Sequence, residues 1–170
     1  LVRPLRPKEI LVHDDFLSEE VAQVEGLSKV GLDELFATAD IIHCQTGLTA
    51  ENKGRVGTEQ LAAIKKGGVL VNCGRAPLID EDALIAALQE QRFTAIMDVF
   101  AEEPLPEEHP YLTMPNVILT LHCAGNGRDA RYLGLMLDEF GRFFRGAPLE
   151  YEASLERALA MTDSSLLRGR

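Results

Sequence analysis

Successive apolar runs in this 170-residue chain empty into side chains that can bind or move charge. Asp14 and Asp15 follow "ILVH", Gln45 and Thr46 follow "DIIHC", and Cys73-Gly74-Arg75 follow "VLVN". Asp98, with Glu102 and Glu103 close behind, follows "TAIM", and His122 follows "NVILTL". A guanidinium presents a planar fork that matches a carboxylate. An imidazole titrates near neutrality, so it can give or take a proton under ordinary conditions. A carboxylate set against that imidazole can orient it and fix its tautomer. Brought together, these groups would hold an anion and move a proton. Metal chemistry is not expected. The two His-Cys pairs, His43-Cys44 and His122-Cys123, are adjacent residues that point to opposite faces of a strand and cannot clamp an ion from one side. Cys44, Cys73 and Cys123 are odd in number and lack a C-x-x-C pattern, which argues against a disulfide framework and for a reducing cytoplasm.

The elements that must position these groups alternate along the chain. "EILVHDD" (9–15) reads as a strand. "SEEVAQVEG" (18–26) reads as a helix opened by a serine cap and closed by Gly26. A short strand and a helix share "SKVGLDELFATAD", and "DIIHCQ" is the next strand. "GTEQLAAIKKGG" is a helix with a threonine cap and a glycine stop. "VLVN" is a strand, and "DEDALIAALQEQ" is an amphipathic helix with acids on its first turn, where the helix dipole favours them. "FTAIMDVF" and "NVILT" complete the strands, and a long helical pattern runs over 129–146. Near-continuous Val/Ile/Leu strands alternating with helices imply an α/β fold with a parallel sheet covered on both sides. Ligands of such sheets bind outside the carboxyl ends of the strands, the edge where the charged groups fall. The strand–helix rhythm stops near "GAPLEYEASLERAL", and the tail after Met161 is expected to fray.

Composition narrows the partners. Hydrophobic residues make up 46% of the chain and charged residues 26%, ordinary globular values. A net charge of −10 argues against nucleic acid or an anionic membrane as a partner, and the basic cluster "LLRGR" at the end is too short to reverse that. The apolar runs are strand-sized, far short of a membrane span. No signal-peptide pattern opens the chain.

Three stretches, "GGVLVNCGRAPLIDEDAL", "AIMDVFAEEPLPEEHPYLTMPNVILT" and "LHCAG", together resemble the cofactor domain of the D-isomer-specific 2-hydroxyacid dehydrogenases over roughly residues 8–146. The resemblance implies a Rossmann-type doubly wound parallel sheet, NAD as cofactor, and a small 2-hydroxy or 2-oxo acid as substrate. It assigns catalysis to Arg75, Glu103 and His122. Arg75, in an asparagine-x-x-arginine stretch, would grip the acid's carboxylate and polarise its carbonyl. His122 would donate the proton, and Glu103 would support the imidazole. Glu103 is preferred to Glu102 because it precedes Pro104, as in the family's glutamate-proline pattern. Cofactor contacts would come from Asp14 at the adenosine ribose and Thr46 near the phosphates and ribose. Around the nicotinamide would lie Cys73, Gly74, Arg75, Asp98, His122 and Gly125. Asp14 and Asp15 side by side would repel a 2′-phosphate, and no arginine stands close behind them in sequence, so NAD is expected over NADP. The resemblance requires Arg75, His122 and Glu103 to converge on one pocket.

The departures from the family are specific. Its G-x-G-x-x-G loop, its first strand and its substrate domain should lie upstream of "LVRPLRP" and do not occur in these residues. Gln45 stands where the family often has histidine, Gly47 and Leu121 replace prolines, and Cys73-Gly74 and Ala76 vary the arginine turn. The expectation is a dehydrogenase fragment with impaired activity alone: residues 1–127 a partial NAD-binding Rossmann domain, 128–147 a crossover helix, and 148–170 a C-terminal tail. That helix, apolar over more than one face, is expected to bury against a homodimer partner or a missing substrate domain. The alternative function is an NAD(H)-sensing scaffold of the same fold, like the family's co-repressors.

Overall fold

Apolar runs too short to form stable structure alone pair here edge to edge, and their register fixes where each strand ends. The computed structural model describes residues 2–124, 129–159 and 161–166. Strands β1 (Leu11–Val12) and β2 (Ser28–Lys29) form a parallel pair. Strands β3 (Ile41–Cys44), β4 (Val69–Asn72), β5 (Thr94–Met97) and β6 (Val117–Leu119) form a parallel sheet in sequential order. Cys44, Asn72 and Met97 stand level across β3, β4 and β5, and Met97 stands level with Leu119 of β6. The connections that leave these four strands therefore all emerge along one edge.

The helices are α1 (Glu19–Val24), α2 (Leu32–Thr38), α3 (Thr58–Ala63), α4 (Glu81–Gln89), α5 (Asp129–Phe144) and α6 (Leu155–Leu159). Ser18 caps α1 by accepting the Val21 N–H at 3.2 Å, as its position predicts, and Asp80 caps α4 through the Ala83 N–H at 2.9 Å. The cap of α3 differs from expectation. Thr58 is its first helical residue and Gly57 the cap, whose N–H donates to the Gln60 side chain at 3.0 Å. The strand expected over 9–15 shrinks to Leu11–Val12, because Asp14 turns the chain by accepting the Phe16 N–H at 2.8 Å.

Leu61 of α3 and Leu84 and Leu88 of α4 pack with Phe36 of α2 against Ile42, Leu70, Ala95 and Met97 on one face of the sheet. Burying such side chains gains about 25 cal/mol per Å² of apolar surface removed from water. The opposite face, carrying Ile41 and Ile118, is more open. The segment after Met161 does not fray over its described residues. The Asp163 N–H donates to the Leu48 carbonyl at 2.8 Å, the Leu48 N–H donates to the Thr162 hydroxyl at 3.3 Å, and Leu166 packs on the core. Helix α5 keeps Tyr132, Leu133, Met136, Leu137, Phe140, Phe143 and Phe144 largely exposed.

Leu88, fully buried between helix and sheet, gives a direct check on this packing. Leu88→Ala is expected to destabilise the chain by about 2–5 kcal/mol, read as a lowered urea midpoint with an unchanged slope. A change below about 0.5 kcal/mol would mean that α4 is not docked as described.

Candidate active site

At the carboxyl edge the ends of the strands are tied to one another by polar groups that cannot reach water. Asn72, the last residue of β4, is fully buried. Its amide accepts the Gly74 N–H at 3.1 Å and donates to the Arg75 carbonyl at 3.2 Å, which shapes the turn that carries the arginine. Its own carbonyl accepts the Asp98 N–H at 3.0 Å. Gly74 is needed here for space. A Cβ would sit 3.1 Å from the Thr46 carbonyl oxygen and 3.3 Å from that of Cys44, and backbone atoms cannot move aside cheaply.

Asp98, 2% exposed, is the second tie. One carboxylate oxygen accepts from the Thr120 hydroxyl and from the Cys123 N–H at 3.0 Å, and the other accepts the Ala124 N–H at 2.9 Å. Burial pushes its pKa up, but the bonds from Thr120, Ala124 and Cys123 outweigh burial and hold it below the ordinary carboxylate value. Asp98, expected beside the nicotinamide, is held in place by these protein donors, as a carboxylate this enclosed must be. Burial also raises the Cys73 thiol, with further contributions from the charges of Asp98 and Cys123. Cys44, enclosed beneath the edge, is pushed up to about 11, mainly by burial.

The Cys123 tie fixes the chain beside His122. His122 Nδ1 lies 2.9 Å from one Glu103 carboxylate oxygen and 3.0 Å from the other. Nδ1 thus donates to Glu103, and Nε2 is left for another partner. Both side chains remain reachable, at 39% and 36% exposed. Glu103 also accepts the Phe100 N–H at 3.2 Å. His122 has φ 49°, a left-handed conformation that L residues seldom adopt. Such strain costs of order 1–3 kcal/mol and persists where the surroundings over-determine it.

A groove of about 970 Å³ runs between the β1–β2 pair and β3, lined by Asp14, Asp15, Thr46, Cys73, Gly74 and Arg75 among others. The fold thus gathers five expected cofactor residues, Asp14, Thr46, Cys73, Gly74 and Arg75, into one cleft. Arg75 donates to the Gly74 carbonyl at 2.7 Å. Glu103 and His122 pair with each other but do not line this groove. Asn72 and Asp98 tie the turn that carries Arg75 to the chain that carries His122. Gly125 lies outside the described residues. The sequence reading missed Asn72 as a site residue, although the asparagine-x-x-arginine spacing carried the signal. It also missed Thr120, and Arg55, whose guanidinium lies 3.6 Å from the Asp15 carboxylate although 40 positions separate them. No local pattern could show that contact.

Comparison with known proteins agrees with this fold. The family model described as the D-isomer specific 2-hydroxyacid dehydrogenase NAD binding domain matches residues 5–124. Glyoxylate/hydroxypyruvate reductase B of Yersinia enterocolitica is 42% identical over 108 residues, covering 63% of this chain and 33% of that protein. The apo structure of D-mandelate dehydrogenase from Rhodotorula graminis superposes with a TM-score of 0.77 at 28% identity, over 90% of this chain and 46% of the other. D-lactate dehydrogenase with NAD+ from Lactobacillus jensenii superposes with a TM-score of 0.71 at 26% identity, over 86% and 48%. The chain spans about a third of the length of the curated relative and under half of these structures.

The lowered pKa of Asp98 has a consequence for stability. A carboxylate depressed in the folded state stabilises the fold above its unfolded pKa of about 3.9 and loses that contribution as pH falls through the folded value. The urea midpoint is expected to drop between pH 7 and pH 3. In Asp98→Asn it should start lower at pH 7 and fall by less. An equal fall in the two proteins would show that Asp98 does not titrate with folding.

Proposed function

The chain belongs to the D-isomer-specific 2-hydroxyacid dehydrogenase family through its NAD-binding domain, and from that premise we propose that it serves hydride transfer between NAD and a small 2-hydroxy or 2-oxo acid. The observation that carries this reading is the Glu103–His122 pair, 2.9 Å apart at the carboxyl edge of the sheet. Relatives named as acting on glyoxylate, hydroxypyruvate and D-lactate suggest the substrate class.

The residues present fit the cofactor. The groove is roomy, takes in Asp14 just beyond β1, and has Gly74 where backbone packs so closely that no side chain fits. Asp14 would take the ribose hydroxyls, and Thr46 and the backbone of Cys73-Gly74 would line the cleft. When bound, the nicotinamide supplies or accepts the hydride. The remaining work belongs to side chains of this chain. Arg75 holds the carboxylate of the 2-oxo acid and draws electron density from its carbonyl. His122, with Nδ1–H held on Glu103, presents Nε2 to the reacting oxygen. As the imidazolium it gives its Nε2 proton to the forming alkoxide and is left neutral, and in the oxidising direction the neutral ring takes the hydroxyl proton at Nε2. NAD is preferred to NADP because Asp14 and Asp15 stand together in the groove, with Arg55 already engaged by Asp15.

The apolar stripe of α5, from Tyr132 to Phe144, is exposed and would bury against a second copy of the chain or against the family's substrate domain. Sedimentation equilibrium is expected to give a dimer that Met136→Glu with Phe140→Glu turns into a monomer. A monomeric parent chain would contradict the dimer.

The 170 residues contain no G-x-G-x-x-G loop, so they lack that set of backbone donors for a pyrophosphate. NADH fluorescence titrated with this chain is expected to show weak binding, and micromolar affinity would contradict that. In the full-length protein, His122→Ala is expected to slow NADH oxidation by glyoxylate or hydroxypyruvate about 10²–10⁴-fold, far more than it weakens NADH binding. Wild-type turnover in that variant would remove His122 from the chemistry. NADH binding without turnover in the parent would favour the sensing scaffold.

A further inference from the structure

Glu103 reaches His122 from a long connection between β5 and β6, and something must hold that connection still. Its near end is fixed by the burial of Val99. Its far end is closed at His109, whose N–H donates to the Pro106 carbonyl at 3.0 Å and whose carbonyl accepts the Leu112 N–H at 3.0 Å. The His109 ring is largely enclosed, with 14% of its side chain exposed. Nδ1 accepts the Tyr111 N–H at 3.3 Å, which leaves the proton of the neutral ring on Nε2. Nε2 faces the Glu81 carboxylate at 3.6 Å, on the first turn of α4. The ring also lies against Tyr111, centroids 4.5 Å apart, and Tyr111 is buried in the core. One imidazole therefore joins the connection that bears Glu103 to helix α4 and to the core.

We propose that His109 and Glu81 form a clasp that positions Glu103 for its bond to His122, so that His109 is a positioning residue for the reaction rather than a cap of the turn at Pro110–Leu112 alone. The proposal deepens the dehydrogenase reading and rests on it for its functional meaning, but its geometry can be tested without turnover. The ring's hydrogen bond to Tyr111 and its longer polar contact with Glu81 separate by substitution. His109→Asn keeps an acceptor at the Nδ1 position for Tyr111 and removes the N–H that faces Glu81. Glu81→Gln keeps a polar oxygen facing Nε2, whereas Glu81→Ala removes it.

The local reporter is the Phe100 amide, which donates to Glu103 at 3.2 Å. Its hydrogen exchange, measured by NMR on the 170-residue chain, reads whether the Glu103 carboxylate is in place. Urea unfolding of the same variants reads global stability. Glu81→Ala and His109→Asn are expected to speed exchange at Phe100 about tenfold relative to amides of β4 and β5, and Glu81→Gln to restore protection. In the full-length enzyme, Glu81→Ala should lower kcat about tenfold with KM for the 2-oxo acid unchanged, because the lost interaction orients the proton donor. Unchanged exchange at Phe100, or a rise shared equally with the strand amides, would overturn the clasp. So would a Glu81→Gln variant as loose as Glu81→Ala. If Phe100 responds while the full-length parent reduces no 2-oxo acid, the clasp stands and the dehydrogenase reading fails.

Discussion

A buried carboxylate with its bonds satisfied on neighbouring strand ends is the constraint on which the site depends. Asp98 leaves β5, yet its oxygens are held by Thr120, Cys123 and Ala124, all beyond β6. Removing a carboxylate from water without partners would cost several kcal/mol, so the chain after β6 must return to it. That return sets His122, one residue before Cys123, against Glu103 and imposes its left-handed backbone. Asn72 acts in the same way one strand over, shaping the Arg75 turn and accepting the Asp98 N–H. The polar ties run from strand end to strand end, so Arg75, Glu103 and His122 share one frame.

This arrangement divides labour between sheet and connections. Parallel pairing places Cys44, Asn72 and Met97 level, and the helices α2, α3 and α4 hold that register by covering one face. Strands this short leave little room for slippage once Leu70, Ala95 and Met97 are buried, because a one-residue shift would turn them to the other face. The connections then carry the reactive side chains: a short turn for Arg75, a longer loop for Glu103, and the exit from β6 for His122. The open groove beside β3 is where Asp14, Thr46, Cys73, Gly74 and Arg75 collect, and it belongs to the same edge.

Much of the fold was legible because its signals are local. Ser18 and Gly26 bracket α1, Asp80 opens α4, and the runs Ile41–Cys44 and Val69–Asn72 read directly as strands. Boundaries set by competing partners were harder. Thr58 looked like a cap, but the Gln60 side chain satisfies Gly57 instead. Asp14 looked like a strand end, but its bond to Phe16 stops β1 early. The catalytic types were visible from their places after strands, and their roles came from family resemblance. What the sequence could not show were long-range contacts: Asp98 with Thr120, Arg55 with Asp15, and the tail folding back to Leu48. Each joins residues from different elements, and no spacing rule encodes them.

Asp98 holds the chain after β6 so that the His122 Nδ1–H donates a hydrogen bond to Glu103. Long-range proton–nitrogen NMR of the histidine rings in the 170-residue chain tests it most directly. The neutral His122 ring should carry its proton on Nδ1 in the parent chain and lose that preference in Asp98→Asn while the fold persists. A parent ring protonated on Nε2, or an Asp98→Asn variant with the tautomer unchanged, would contradict the account.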